Sequence, residues 1–373
     1  MILYLTTTTI MSNMLFILQP PVPVSFDFEH TFSSSSYHSL LALSALRSEL
    51  GVQTRALVLA NNRRQGQQVC AHTAVAAARA YRTAWTQFLA EVLSKHGTLR
   101  SALGTGFPWQ VPLPSHADGS VLFADASVLF ESACVSLALA AALQAVGSDD
   151  ALREASDVLR STAKETLVHF RPRIATARRR VRESHVLSDT VFEAYAHGIE
   201  GQRASCSNSS GEQHDREDEN RVSVYEHTQR ALHLFNASTH YRRALELMPA
   251  ERALVDERTQ ITARARYHLA RALVEGPGEF GVAIACLEEA LGRQQLLSSN
   301  HESSLLTQKI VTTLKDMRRL NNTAAFQEVP IRTALSMRID RTGTIHTVTV
   351  QRQSDDTEKN IVIILPAIST SKK

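Results

Sequence analysis

Apolar residues recur three and four positions apart through most of this chain, a spacing typical of amphipathic helices. The pattern predicts helices over residues 38–50, 69–96, 123–146, 149–170, 188–202, 222–248, 252–274, 280–297 and 301–320. Residues 123–146 are apolar on nearly every side, so this helix is predicted to be central and buried. The chain is therefore predicted to be mainly α-helical.

Strand patterns occur near both ends of the chain. Three prolines exclude a helix over residues 14–28, where apolar and polar positions alternate, so this segment is predicted to be extended. Alternation returns over residues 335–339 and 344–352, and residues 361–365 form a β-branched run. We predict two or three strands here, in a small β-rich appendage at residues 336–368.

Two segments show neither helical nor strand periodicity. Residues 104–119 are rich in Gly and Pro around Trp109, which predicts a loop. Residues 205–221 hold Ser, Asn, Asp, Glu, Gly and His and no large apolar side chain. Such a segment buries too little surface to offset the entropy of ordering it, so a disordered insertion is predicted.

A helix hairpin is predicted around Gly276-Pro277-Gly278, which ends one helix and reverses the chain. The helices on either side, residues 263–274 and 280–291, are similar to a tetratricopeptide hairpin. The chain shows no repeat at a fixed period, so a regular solenoid is not predicted.

Composition excludes several classes of protein. Of the 373 residues, 43% are hydrophobic and 21% are charged, and the formal charge of +3 is too small to indicate nucleic-acid binding. The four cysteines, Cys70, Cys134, Cys206 and Cys286, are far apart, which favours reduced cytosolic thiols over disulfides or zinc ligands. The apolar start of the chain lacks the basic residues of a signal peptide. A cytoplasmic location is predicted.

Motifs for catalysis and cofactor binding are absent from the sequence. It contains no Gly-x-Ser-x-Gly elbow, no Walker loop and no dinucleotide fingerprint. His197, His214, His227, His233 and His240 would suit a metal, but they lack a known metal-ligand spacing, so surface histidines are favoured. We predict no enzyme activity, no cofactor, no metal and no small-molecule substrate. A helical hydrolase with a histidine metal site is the least favoured alternative.

The strongest charge feature is a cluster of arginines, namely Arg171, Arg173, Arg178, Arg179, Arg180 and Arg182. One interpretation is a patch that meets an acidic membrane surface or an acidic peptide. The other is a solvated helix face neutralised by Glu183, Asp189 and Glu193. Nucleic acid is disfavoured because no aromatic residue is interleaved for base stacking.

Four short stretches, taken in order, resemble the Bro-one (BRO-1) domain of ALIX-type endosomal sorting proteins. They are Phe107-Pro108-Trp109, the run from Leu129 to Val135, the run from Gly278 to Leu287, and Asn321-Asn322 leading through Phe326 to Val329-Pro330. The resemblance covers roughly residues 14–335 and implies a stand-alone domain. It implies an elongated, banana-shaped helical scaffold with tetratricopeptide-like hairpins and small β elements at both ends.

The resemblance also gives expectations for single residues. Phe130-Glu131 looks like the family's Phe-Glu helix, and the Glu131 carboxylate is expected to answer a buried donor because a lone buried charge is costly. The chain departs from the family at Ser136-Leu137, where the family has Phe-Asn. It also departs at Gln327, near which the family has a tyrosine.

By this resemblance the chain would be a non-enzymatic adaptor that binds the C-terminal helix of an ESCRT-III subunit in endosomal sorting or membrane remodelling. Ile199, Val222, Val224 and Tyr225 flank the insertion and would form a shallow groove for an amphipathic helix; core packing is their alternative. An endosome-associated location would follow. A second hypothesis is a tetratricopeptide-like adaptor for an unrelated protein.

Overall fold

The computed structural model describes residues 17–24, 26, 28, 37–63, 66–96, 107–112, 120–125, 128–167, 187–206, 224–249, 251–297, 301–330, 332–339, 345–354 and 357–364. The chain divides into two compact units. The first consists of Met1–Arg203 and Arg243–Leu254, and the second of Ala204–Arg242 and Val255–Lys373. The fold is mainly α-helical, which confirms the predicted class.

Among the described residues, a small sheet and five helices lie wholly or mostly in the first unit. The strands are β1 (Val22–Pro23), β2 (Phe107–Pro112) and β3 (Ser120–Asp125). The helices are α1 (Tyr37–Arg63), α2 (Gln67–His96), α3 (Val128–Val146), α4 (Asp149–Ser161) and α5 (Asp189–Cys206). A π-helical turn, Thr162–Leu167, extends α4. The Ser148 side chain caps α4 by accepting a hydrogen bond from the Ala151 N–H.

Helix α3 is the central helix of this unit, as its apolar pattern predicted. Every residue from Ala133 to Val146 is buried, and α3 packs against both α2 and α4. By length and composition α3 would be able to cross a membrane, but so would an ordinary core helix, and 83% of its most apolar window is buried inside the protein. Its apolar character is accounted for by packing.

The sheet corrects two sequence predictions. Residues 107–112, expected in a loop, form the middle strand of an antiparallel sheet with order β1-β2-β3. Phe107 and Trp109, two positions apart, both lie on its buried face. Pro108 has no N–H, but its carbonyl accepts a hydrogen bond from the Val24 N–H at 3.0 Å. Residues 123–125, expected in the central helix, belong to β3, and the helix begins at Val128.

Among the described residues, four helices lie wholly or mostly in the second unit. They are α6 (Val224–Leu247), α7 (Arg252–Glu275), α8 (Phe280–Gln295) and α9 (His301–Leu320). The predicted hairpin between α7 and α8 is confirmed, because Gly278 takes a positive φ of 75° at the reversal. The core of this unit joins α7, α8 and α9 around Leu273, Ile284 and Leu314.

The C-terminal strands are confirmed as an antiparallel sheet with order β4-β5-β6. They are β4 (Arg332–Ile339), β5 (Ile345–Ser354) and β6 (Thr357–Ile364). Before them, a π-helical turn, Asn321–Ala325, ends α9. The division into a domain at residues 14–335 and an appendage at residues 336–368 stays a prediction, and β4 begins slightly before it.

Three other predicted boundaries shift. Residues 205 and 206, placed in the insertion, are helical at the end of α5, and residues 207–221 lie outside the described residues. Within the extended segment at residues 14–28, only Val22–Pro23 pair as a strand. Helix α1 runs on to Arg63 instead of ending at residue 50, because Leu50 and Leu57 continue its buried face.

Candidate protein-binding site

The Glu131 carboxylate, in the first turn of α3, is fully buried and accepts four hydrogen bonds. Arg47 of α1 donates through Nε to Oε1 at 2.9 Å and through Nη2 to Oε2 at 3.3 Å. The Tyr81 hydroxyl donates to Oε1 at 2.6 Å, and the Trp109 indole donates to Oε2 at 2.6 Å. The expectation that this carboxylate answers a buried donor is confirmed.

Arg47 also connects the Glu131 cluster to the small sheet. Its guanidinium donates to the Pro108 carbonyl at 3.0 Å and to the Val24 carbonyl, and it lies 5.2 Å from the centre of the Trp109 ring. Burial alone would lower the pKa of Arg47, but the charge and hydrogen bonds of Glu131 outweigh it and raise that pKa. With no exposed surface on Glu131, this cluster holds the sheet to the helices and does not meet a ligand.

An open cleft with about 500 Å³ of empty space lies between α2, α3 and the first π-helical turn. Ser132, Ser136 and Thr162 are among its lining residues. The hydroxyls of Ser132 and Thr162 donate to backbone carbonyls of their own helices, at 2.9 and 2.7 Å. Among the described residues that line it there is no histidine or cysteine. The described lining therefore offers hydrogen-bonding groups, without an imidazole beside its hydroxyls.

The predicted groove residues are placed very differently. Tyr225, in the first turn of α6, is 46% exposed, and Val224 beside it is half-buried. Ile199 of α5 has no exposed surface, so it is a core residue that a partner does not reach, and its place in the groove is corrected. Val222 lies outside the described residues. The candidate protein-binding site that remains is the first turn of α6, with Tyr225 as its exposed aromatic residue.

A histidine pair lies on α6 and α7, two residues beyond Tyr225 along α6. His227 is buried, and its Nδ1 lies 3.0 Å from Nδ1 of His268, so one ring donates and the other accepts. Burial first, and then the positive charges of His227, Arg264, Arg230 and Lys309, hold the pKa of His268 well below 6.5. The prediction of surface histidines is therefore wrong for His227.

The other predicted charged residues are only partly described. Nδ1 of His197, half-buried on α5, lies 3.5 Å from Oε2 of Glu200. Burial lowers the pKa of His233 on α6. His214 and the six arginines of the predicted patch, Arg171, Arg173, Arg178, Arg179, Arg180 and Arg182, lie outside the described residues. The membrane or acidic-partner patch therefore stays a prediction.

Residues 326–330, the closing segment, follow α9 and its π-helical turn. Amide side chains hold this segment in place, and the sequence pattern did not reveal them. The Asn321 amide donates to the Gln327 carbonyl and accepts from the Gln327 N–H, both at 2.9 Å. Gln327 in turn donates to the Gly278 carbonyl at 2.9 Å and accepts from the Gly281 N–H at 3.0 Å. Gln327 thus joins the α7–α8 turn to the closing segment. The only sequence signal for this arrangement was the Asn321-Asn322 pair at the end of a predicted helix.

Phe326 lies between Asn321 and Gln327, and the hydrogen bonds of these two residues leave its side chain at the surface. Its backbone is in the left-handed region with φ of 51°, which is uncommon for a bulky residue, and its side chain is 75% exposed. The N–H of Phe326 donates to the Asn321 carbonyl at 2.7 Å, which keeps the strained turn in place.

The described fold is similar to solved Bro1 (Bro-one) domain structures. The ALIX BRO1 domain from a complex with CHMP4C is 16% identical, with a TM-score of 0.51 over 84% of this chain and 90% of that one. A structure titled as the basis for endosomal targeting by the Bro1 domain is 13% identical, with a TM-score of 0.52 over 85% and 88%.

A third similar structure is ALIX in complex with the SIVmac239 PYKEVTEDL late domain, which is 16% identical with a TM-score of 0.53. The match covers 84% of this chain but only 46% of that one. No protein-family profile and no curated protein matches the chain. At these identities the likeness establishes the fold: the chain has a divergent Bro1-like fold, which confirms the resemblance found in its sequence.

Proposed function

We propose that this protein is a non-enzymatic adaptor that binds the C-terminal helix of an ESCRT-III subunit in endosomal sorting or membrane remodelling. The observation that carries the proposal is the Bro1-like fold over most of the chain, since one similar structure is a BRO1 domain in complex with CHMP4C. The fold alone does not fix the partner. The proposal therefore needs a surface on this chain that suits a helix.

The first turn of α6 supplies such a surface. Tyr225 is an exposed aromatic residue, with Val224 half-buried beside it. Tyrosine is enriched at the energetic centres of protein interfaces because it offers a large apolar area together with a hydroxyl group. An amphipathic helix that lays its apolar face over Tyr225 would bury that ring.

The arginines of residues 171–182 provide the second part of the proposal. Six basic side chains in this short stretch would hold the adaptor near acidic lipids, where each contributes on the order of 1 kcal/mol. A cytoplasmic protein recruited to the endosome surface would combine this weak attraction with the contact to its protein partner. We propose no nucleic-acid partner.

The test is titration calorimetry of the purified protein with ESCRT-III C-terminal peptides, beginning with that of CHMP4C. We expect binding in the micromolar range, typical of a small helix-in-groove contact. Tyr225→Asp would abolish it. Val311→Asp is the matched control, because Val311 on α9 has the same 46% exposure as Tyr225.

The two other outcomes separate the alternatives. If Tyr225→Asp and the unchanged protein bound the peptide with equal affinity, the first turn of α6 would be excluded as the binding site, while the proposed adaptor function would still stand. Absence of binding to every ESCRT-III tail, together with capture of another helical peptide, would favour the tetratricopeptide-like adaptor for an unrelated protein.

A further inference from the structure

Helix α1 has an apolar stripe on its exposed side. Leu41, Val52 and Leu59 are 42%, 53% and 54% exposed. Ala45, Ser48 and Arg55 lie between them and are also exposed. The six positions follow one another at steps of four, three, four, three and four residues, which places them along one line of a helix for about five turns.

This stripe is not the face that holds α1 in its unit. Leu43, Leu50 and Leu57 recur every seven residues on another face and are buried, at 1%, 0% and 0% exposure. An amphipathic surface helix needs only one apolar face. The second stripe has the spacing of a coiled-coil seam, which normally packs against another helix.

The stripe is self-complementary when read from its two ends. Positions 41 and 59, 45 and 55, and 48 and 52 are symmetric about position 50. In an antiparallel pair of identical helices centred there, Leu41 meets Leu59, the small Ala45 meets the long Arg55, and the small Ser48 meets Val52. A two-fold symmetric dimer requires this kind of pairing, because one patch serves both copies.

Charge supports the same arrangement. Glu49 is exposed beside the stripe, and its carboxylate accepts from the Gln53 amide of its own helix at 2.6 Å. The guanidinium of Arg55 forms no ion pair or hydrogen bond with any residue that the structure describes. With the antiparallel centre at position 50, Arg55 of one copy lies opposite Ala45 of the other. Glu49 is one helical turn from Ala45, so it lies near the partner's Arg55. Two symmetric Glu49–Arg55 pairs result.

We propose that two copies of this chain associate through the exposed stripes of their α1 helices, antiparallel and centred near position 50. The contact is about five turns of one helix pair, which is small for a protein interface, so the dimer is weak and depends on concentration. The proposal does not depend on ESCRT-III binding, since α1 and Tyr225 belong to different units.

Sedimentation velocity over a concentration series tests the proposal. The unchanged protein should shift from monomer to dimer as concentration rises. Glu49→Arg places like charges at both pairs, as does Arg55→Glu, and each should weaken the dimer about tenfold. A mixture of the two variants should recover dimerisation, because every pair in the mixed dimer is again of opposite charge. Circular dichroism confirms that both variants fold.

Three results would overturn the proposal. They are a monomer at every concentration, a dimer that neither charge variant weakens, and a mixture that dimerises no better than its separate components. Val69→Asp is the control for general surface effects. Val69 is a 65% exposed apolar residue on α2, outside the stripe, and its replacement should leave the dimer unchanged.

Discussion

The Glu131 carboxylate has a strong effect on its surroundings because it is buried together with its donors. A buried charge is tolerated only when its partners are in place, and here Arg47, Tyr81 and Trp109 all donate to it. Burial first, and then the charge of Glu131, raise the pKa of Tyr81 well above 10, so the phenol stays a donor at all ordinary pH values.

We expect Glu131→Ala to lower the free energy of unfolding by about 3–5 kcal/mol, because it leaves the Arg47 charge buried without its carboxylate. Urea unfolding followed by circular dichroism measures this loss. Glu154→Ala is the control, since the Arg79–Glu154 pair is exposed on both sides and should contribute less than about 1 kcal/mol. Equal losses in the two variants would contradict the assigned role of Glu131.

The histidine pair gives stability a dependence on pH. His268 has a pKa well below 6.5 in the folded protein, so the unfolded chain binds more protons as pH falls. The stability that comes from keeping His268 neutral is fully present above about pH 6.5. It is lost as the pH falls from there toward the lowered pKa of His268. Arg230, Arg264 and Lys309 add to the same cost of protonation.

We expect the protein to lose stability between pH 6.5 and pH 5 more steeply than His268→Asn does. Thermal unfolding of both proteins across this pH range provides the measurement. Identical pH slopes would show that other groups control acid stability.

At the scale of elements, the closing segment fastens α8 through backbone contacts that only glycine permits. A Cβ at Gly281 would lie 2.1 Å from the Glu328 carbonyl oxygen. The Gly281 N–H also donates to Gln327. Helix α8 and the closing segment therefore approach one another more closely than any other residue at this position would allow.

Gly281→Ala should lower the free energy of unfolding by about 1–3 kcal/mol, because the added methyl group forces the two backbones apart. Gly292→Ala, on the same helix, has open space around its Cβ position and should instead stabilise the protein by about 0.5–1 kcal/mol. Chemical unfolding of the two variants side by side tests this. A stabilised Gly281→Ala would contradict the close approach.

The elements show how far the sequence pattern reaches. Apolar spacing predicted the helices of both units, because each buries a continuous face. It missed β2, since Pro108 and Pro112 obscure a strand that is recognised by its pairing with β3 and with the distant β1. Similarly, Glu131 was expected to have a donor, but its partners come from three other elements, and no local pattern identifies them.

The candidate site was harder to predict than the fold. Ile199 and Tyr225 are both apolar positions beside a polar segment, yet one is fully buried and the other is 46% exposed. Only packing in three dimensions distinguishes them. His227 posed the same difficulty, because its partner His268 lies 41 positions away on the next helix.

In the molecule as a whole, the divergent Bro1-like fold consists of two units that carry different surfaces. The second unit presents Tyr225 and the strained, exposed Phe326. The first unit presents the α1 stripe, which we propose as the contact between copies. If the proposed pairing and the proposed helix binding are combined, the chain would gain avidity on an array of partners.

Hydrogen exchange with and without a saturating ESCRT-III C-terminal peptide tests the proposed function most directly. We expect the peptide to slow exchange at the start of α6, around Tyr225, and to leave exchange in α1 unchanged. Saturating peptide with no protection in α6, or protection confined to α1, would contradict it.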